Sequence, residues 1–112
     1  MGAAEQVAVR RAETVALAAS LSARLAAIIE SSAWSSNDDE HDPEGATVAF
    51  ERAQLAGLLE RAEDELRGLD AAAARLAAGT YGRCERCGDP IAEERLAALP
   101  AATRCIRCAD RR

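Results

Sequence analysis

The sequence predicts an all-α protein, an antiparallel coiled-coil hairpin with a small C-terminal four-cysteine zinc finger. Three observations carry this reading. Two alanine- and leucine-rich segments flank one acidic stretch that contains Pro and Gly. Apolar residues in the second segment recur at alternating steps of four and three. All four cysteines fall in two Cys-x-x-Cys pairs that follow the second segment.

Composition sets the scale. A chain of 112 residues suits a single domain. About half of it is apolar (49%), but Trp34, Phe50 and Tyr81 are the only aromatic residues, and alanine supplies much of the count. Alanine gives up no side-chain entropy in a helix, so the composition favours helices and disfavours a large core. Folds this small commonly gain stability from a metal.

The first helix is read over residues 4 to 36, which hold no Pro or Gly. Residues 37 to 45 (Asn37-Asp38-Asp39-Glu40-His41-Asp42-Pro43-Glu44-Gly45) break it as an acidic turn. The second helix is read over 46 to 78, with Gly79 as its stop.

The second helix carries the seam Val48, Arg52, Leu55, Leu59, Ala62, Leu66, Leu69, Ala73, Leu76, apolar at every position but Arg52. Steps of four and three keep one face turned to a partner helix. Gly57 and Gly68 lie off that seam, each at a cost of about 1 kcal/mol relative to alanine. The first helix offers Val7, Thr14, Ala18, Leu21, Leu25 and Ile28. In an antiparallel hairpin, facing residue numbers add to a nearly constant value. Leu21 with Ala62, Leu25 with Leu59, Ile28 with Leu55, Ala18 with Leu66 and Trp34 with Phe50 all meet this test, turning about Asp42. Thr14 and Arg11 dilute the seam toward its base. A helix of about 33 residues spans roughly 50 Å, so the sequence predicts a rod with an acidic tip near 38–46. The domain reading is a hairpin over 1–78 and a four-cysteine zinc-finger knob over 79–112. Two amphipathic helices inside a compact bundle are the alternative.

Cys84-Glu85-Arg86-Cys87 and Cys105-Ile106-Arg107-Cys108 are separated by 17 residues. A two-residue gap lets both thiolates of a pair face one ion, and Zn²⁺ takes four thiolates tetrahedrally at about 2.3 Å. Gly88 follows the first pair, where a tight turn needs backbone freedom. A redox Cys-x-x-Cys wants a βαβ setting, which this pattern lacks. Two disulfides want an oxidising compartment. A catalytic zinc keeps a coordination position open. The spacing therefore points to one structural zinc ion held by Cys84, Cys87, Cys105 and Cys108.

The net charge is −5, and all 14 basic residues are arginine. Duplex DNA binding draws on a positive stripe that displaces counterions, so the balance favours a protein partner. The start Met1-Gly2-Ala3-Ala4-Glu5-Gln6 reads as neither a secretion signal nor a myristoylation signal. No apolar run is read as long enough to cross a bilayer. A cytoplasmic location without membrane contact is the expectation.

The segment Gly79-Thr80-Tyr81-Gly82-Arg83-Cys84-Glu85-Arg86-Cys87-Gly88, continued by Pro90-Ile91, Arg95-Leu96, Ala98, Pro100 and Cys105-Ile106-Arg107-Cys108, resembles the DksA/TraR-type C4 zinc finger. The match covers about 30 residues in order and spacing, and the upstream hairpin agrees with the same family. The resemblance implies a transcription regulator that binds bacterial RNA polymerase directly. Its coiled coil would enter the secondary channel, and its acidic tip would alter promoter-complex stability.

The family's Asp-x-x-Asp-x-Ala tip falls on His41-Asp42-Pro43-Glu44-Gly45-Ala46. Glu44 and Ala46 match in type, while His41 stands at the first acidic position with Asp42 and Asp39 beside it. The resemblance thus implies a polymerase-modulating tip of Asp39, Asp42, Glu44 and Ala46. Arg95, in the matched Arg-Leu dipeptide, is a candidate contact to polymerase or between knob and rod. Arg61 is present on the second helix, but Glu65 and Gly68 occupy positions where basic residues are expected, so strong ppGpp binding is not expected. A monomer without enzymatic activity or sequence-specific DNA binding follows. The alternative is a zinc-ribbon adaptor or DNA-binding protein using Arg83, Arg86, Arg104, Arg107, Arg111 and Arg112 around the knob. A third reading has the tip carboxylates position magnesium for transcript cleavage.

Overall fold

A computed structural model describes residues 2–34 and 43–110, leaving aside the side chains of Trp34, Pro43 and Glu44. Among the described residues four helices follow in order: α1 (Ala3–Trp34), α2 (Pro43–Ala78), α3 (Glu93–Ala98) and α4 (Ile106–Ala109). The only β feature among them is an isolated antiparallel bridge between Arg83 and Pro90. The all-α class read from the sequence holds, with stretches of α1 and α2 packed together and a small cysteine finger after them.

The second helix starts earlier than the sequence suggests. Pro43, read as part of the turn, is the first residue of α2. Its missing N–H costs nothing in a first turn, where the amide would have no intrahelical partner, and its fixed φ suits the helix. The other end falls where it is expected. Gly79 takes φ 77°, Thr80 N–H donates to the Arg75 carbonyl at 2.9 Å, and Gly79 N–H donates to that of Leu76 at 3.3 Å. This is the Schellman pattern, which satisfies carbonyls the helix end would otherwise orphan.

The chain forms two compact units, Val15–Asp64 and Met1–Thr14 with Glu65–Arg112. The division falls within the two long helices rather than at Gly79. In the Val15–Asp64 unit, Leu21, Leu55 and Ala62 are buried, and Ala18, Leu25, Ile28 and Leu59 pack against them. The pairs Leu21–Ala62, Leu25–Leu59 and Ile28–Leu55 therefore share one cluster. The seam does not continue to Val48 and Arg52, which are exposed. Phe50 is 70% exposed, and its expected partner, the Trp34 side chain, lies outside the described residues.

In the other unit, Val7, Leu69 and Ala72 are buried, with Leu76, Tyr81 and Ala101 packed on them. The sequence places Ala73 on the seam, yet Ala72 is fully buried and Ala73 exposed. A straight helix at 3.6 residues per turn drifts about 20° per heptad against a 3.5 repeat, enough to exchange adjacent positions. Thr14 is buried, and its hydroxyl donates to the Arg10 carbonyl at 2.8 Å, so its polar atom is satisfied. Arg10 and Arg11 pair with Glu65 and Asp70, each at 2.7 Å, on the rim of this interface.

One expectation is overturned. α1 over Ala3–Ala33 is long and apolar enough, by length and composition, to cross a membrane, although no apolar run was expected to reach that length. Alanine supplies much of the apolar content of the stretch, while Leu21, Leu25 and Ile28 are engaged with α2.

Candidate metal centre

Each cysteine pair sits on a turn whose backbone is fixed by its own hydrogen bonds. Ile91 N–H donates to the Gly82 carbonyl (2.7 Å), Cys84 N–H to that of Asp89 (2.8 Å), and Gly88 N–H to that of Cys84 (2.9 Å). Gly88 takes φ 80°, a left-handed conformation that costs other residues about 1–2 kcal/mol. The second pair opens α4. Cys108 and Ala109 N–H groups both donate to the Cys105 carbonyl, at 3.1 and 2.9 Å. The two turns are joined by Glu85 N–H donating to the Thr103 carbonyl at 2.8 Å.

This folding gathers all four sulfurs within 4.8 Å of one another. Cys87 Sγ and Cys105 Sγ are 3.8 Å apart. A tetrahedron with zinc–sulfur bonds of about 2.3 Å has edges of about 3.8 Å, whereas a disulfide needs about 2.05 Å. None of the four is in a disulfide. The donor set and its size therefore fit one zinc ion. Cys84, Cys105 and Cys108 are buried with Ile91, and Leu96 of α3 packs on them. Cys87 is exposed.

The backbone also tunes the thiols. The Cys87 N–H directed at the Cys84 sulfur is the main cause that pulls Cys84 down to about 6. The Cys108 N–H lowers Cys105 in the same way. Desolvation pushes Cys108 up to about 12. Cys87 receives a lowering bond from the Asp89 N–H, but desolvation and the neighbouring Cys84 and Cys105 sulfurs leave it raised. Amide donors stabilise thiolate and desolvation opposes it. Cys84 is thus ready to bind metal, Cys105 is shifted in the same direction, and Cys87 and Cys108 are held toward the protonated form.

Four thiolates around one Zn²⁺ leave an excess of negative charge, and arginines stand around the site. Arg107 is held above its ordinary pKa, first by the Cys105 thiolate and then by Asp89, which it meets at 2.9 Å. Arg104 pairs with Glu85 at 3.1 Å, and Arg83 donates to the Gly88 carbonyl at 3.3 Å. These three bond within the finger, including two of the acids between its cysteines. Arg95, singled out from the sequence, is half-buried and donates from Nε to the Arg104 carbonyl at 2.9 Å, tying α3 to the turn before Cys105.

The tip residues fare differently. Asp39 and Asp42 lie outside the described residues, as does the side chain of Glu44, and Ala46 is exposed in the first turns of α2. Sequence reasoning missed Gly68. It is half-buried, and a Cβ placed there would stand 3.3 Å from the Ala101 Cβ. An isolated glycine inside a strong helical pattern was the available signal, since it commonly marks close packing.

A helical chain whose four cysteines, three of them buried, converge on one point defines a C4 zinc-finger protein. Residues 79–112 match the family "Prokaryotic dksA/traR C4-type zinc finger", and this segment is a finger of that type. An uncharacterized protein of Aquifex aeolicus (strain VF5) is 49% identical over 45 residues, 40% of this chain and 31% of that protein. The uncharacterized protein YteA of Bacillus subtilis (strain 168) is 38% identical over 65 residues, 58% of this chain and 27% of YteA. The chain thus spans less than a third of either relative's length. Among solved structures, transcription factor DksA2 from Pseudomonas aeruginosa is similar over 97% of this chain and 78% of its own, with TM-score 0.77 and 28% identity.

Proposed function

We propose that this protein is a DksA/TraR-type transcription regulator that binds bacterial RNA polymerase directly. The observation that carries the reading is the likeness to transcription factor DksA2 over nearly the whole chain, long helices and finger together, joined to the family match of the finger. In this reading the hairpin over 1–78 enters the secondary channel, and the finger over 79–112 is a knob held by one structural zinc on Cys84, Cys87, Cys105 and Cys108. The tip of Asp39, Asp42, Glu44 and Ala46 acts near the polymerase's catalytic magnesium, where carboxylates interact strongly with cations. The protein works in the cytoplasm as a monomeric binding factor and not as an enzyme. Strong ppGpp binding is not part of the reading.

The test has two stages. Purified protein should be retained by bacterial RNA polymerase and lose retention when the secondary channel is blocked. The double variant Asp42→Ala with Glu44→Ala should still bind, yet no longer change open-complex lifetime at a sensitive promoter. Retention indifferent to a blocked channel would falsify the docking mode. A double variant that regulates normally would remove the tip assignment.

A further inference from the structure

In the Val15–Asp64 unit, α2 turns Leu55, Leu59 and Ala62 into the apolar cluster it shares with α1. Ala46, Phe50, Ala53 and Gly57 follow one another at steps of four, three and four, which puts them on one stripe of the helix. All four are exposed, so the stripe faces away from that cluster. None of them is charged, and the next residues along the stripe, Arg61 and Asp64, close it off. Phe50, the only phenylalanine in the chain, leaves 70% of its surface in water.

Gly57 is the second peculiarity of the stripe. Gly57 and Gly68 both sit deep inside α2, where a glycine weakens the helix relative to alanine. At Gly68 the fold supplies a reason, because a Cβ there would stand 3.3 Å from the Ala101 Cβ. At Gly57 it supplies none, since a Cβ would meet nothing within 4 Å. Bare backbone on an exposed face suits the close approach of another body. It lies two turns, about 10 Å along the axis, from the exposed Phe50 ring. One molecule thus carries a knob and a hole on the same stripe.

We infer that this stripe is a docking surface for a second copy of this chain, in which two α2 helices pack antiparallel and Phe50 of each covers Gly57 of the other. A two-fold pair requires that residue i meet j while j meets i. Antiparallel pairing about an axis between Ala53 and Gln54 meets that rule with Phe50 and Gly57. Parallel pairing sets the two rings against each other and leaves both glycines uncovered. Two buried phenylalanine side chains supply about 300–500 Å², against about 1,200–2,000 Å² in a stable interface. The pair is therefore weak and forms only at high concentration. The stripe lies on the arm that the polymerase reading sends into the channel, so pairing and insertion exclude each other and the monomer remains the working form. The association itself does not depend on that reading.

Sedimentation equilibrium on the zinc-loaded full chain tests this, from about 10 µM to about 1 mM. The wild type should be monomeric at the lower end and increasingly dimeric toward the upper. Phe50→Ala should weaken association at least about tenfold, with unchanged far-ultraviolet circular dichroism, since the ring is exposed in the monomer. Gly57→Leu should weaken it as much by filling the hole, although leucine strengthens the helix itself. An equimolar mixture of the two variants should pair again. In the mixed dimer Phe50 of one copy meets Gly57 of the other, while the introduced leucine meets the introduced alanine. A wild type that stays monomeric at about 1 mM would overturn the inference, as would either single variant that pairs like the wild type. A mixture that remains monomeric would overturn the antiparallel arrangement.

Discussion

The Tyr81 hydroxyl donates to the Pro100 carbonyl at 2.9 Å, while its ring packs against the cluster of Val7, Leu69 and Ala72. Tyr81→Phe keeps the ring and orphans a buried carbonyl, so it should destabilise the zinc-loaded protein by about 1–2 kcal/mol, read as a lower urea midpoint. Burial raises the Tyr81 pKa above its ordinary value of 10.0. A group that ionises more readily unfolded than folded weakens the fold as pH rises past the unfolded value. Stability should therefore drop above pH 10 more steeply in the wild type than in Tyr81→Phe.

Leu69 is the largest fully buried side chain among the described residues, at 0% exposure. Leu69→Ala should cost about 2–5 kcal/mol, because lost burial and a residual cavity add. Circular dichroism on thermal unfolding should show a lowered midpoint even with zinc in excess. A change under about 1 kcal/mol would mean that the cluster collapses to fill the gap.

Gly57 has the opposite prospect. A Cβ there would meet nothing within 4 Å, and its φ is helical. Gly57→Ala should stabilise the protein by roughly 0.5–1 kcal/mol through helix propensity and a less flexible unfolded chain. Gly68→Ala, where the new methyl would press on Ala101, should gain less or lose.

Zinc binding should release protons at pH 7. Cys108, near 12, and Cys87, above 9.0, are protonated before the metal arrives, whereas Cys84, near 6, is mostly thiolate. Calorimetric titration in buffers of different ionisation enthalpy should therefore report about two to three protons rather than four. Below about pH 6 Cys84 must also be deprotonated, so the loss of affinity per pH unit should steepen there by about one further proton. A constant slope from pH 5 to 8 would contradict the assigned order of the thiols.

Arg10 and Glu65 meet at 2.7 Å with side chains 43% and 34% exposed. A double-mutant cycle to alanine should give a coupling of about 0.2–1 kcal/mol that fades in 1 M salt. A larger, salt-resistant coupling would show that this pair, and not the apolar cluster, holds α1 to α2.

Much of this was legible beforehand, for identifiable reasons. The cysteine site could be read because two short gaps and one longer one suffice to bring four thiolates to one ion. The helices could be read because Leu55, Leu59, Ala62 and Leu69 recur at intervals that only a packed helix rewards. Their boundaries were read less well at Pro43, since the same residue ends a turn and begins a helix. Ala72 was missed in favour of Ala73 because neighbouring alanines give a period nothing to choose between. Gly68 was invisible to periodicity, since its role is set by Ala101, a residue 33 positions later. The segment over 99–104 has no periodic signature at all, and its contacts with Glu85 and Tyr81 are purely tertiary.

The pairing of Arg11 with Asp70, 59 residues apart, has a consequence for biosynthesis. Val15–Asp64 can close its small core as soon as its second helical stretch has cleared the ribosome. The earlier stretch Gly2–Thr14 must wait for Glu65–Asp110, which at about 5–20 residues per second takes several seconds more to appear. During that interval Val7 has no Leu69 or Ala72 to cover it, so the nascent chain carries exposed apolar surface until the last turns of α2, and then Tyr81 and Ala101, have been made.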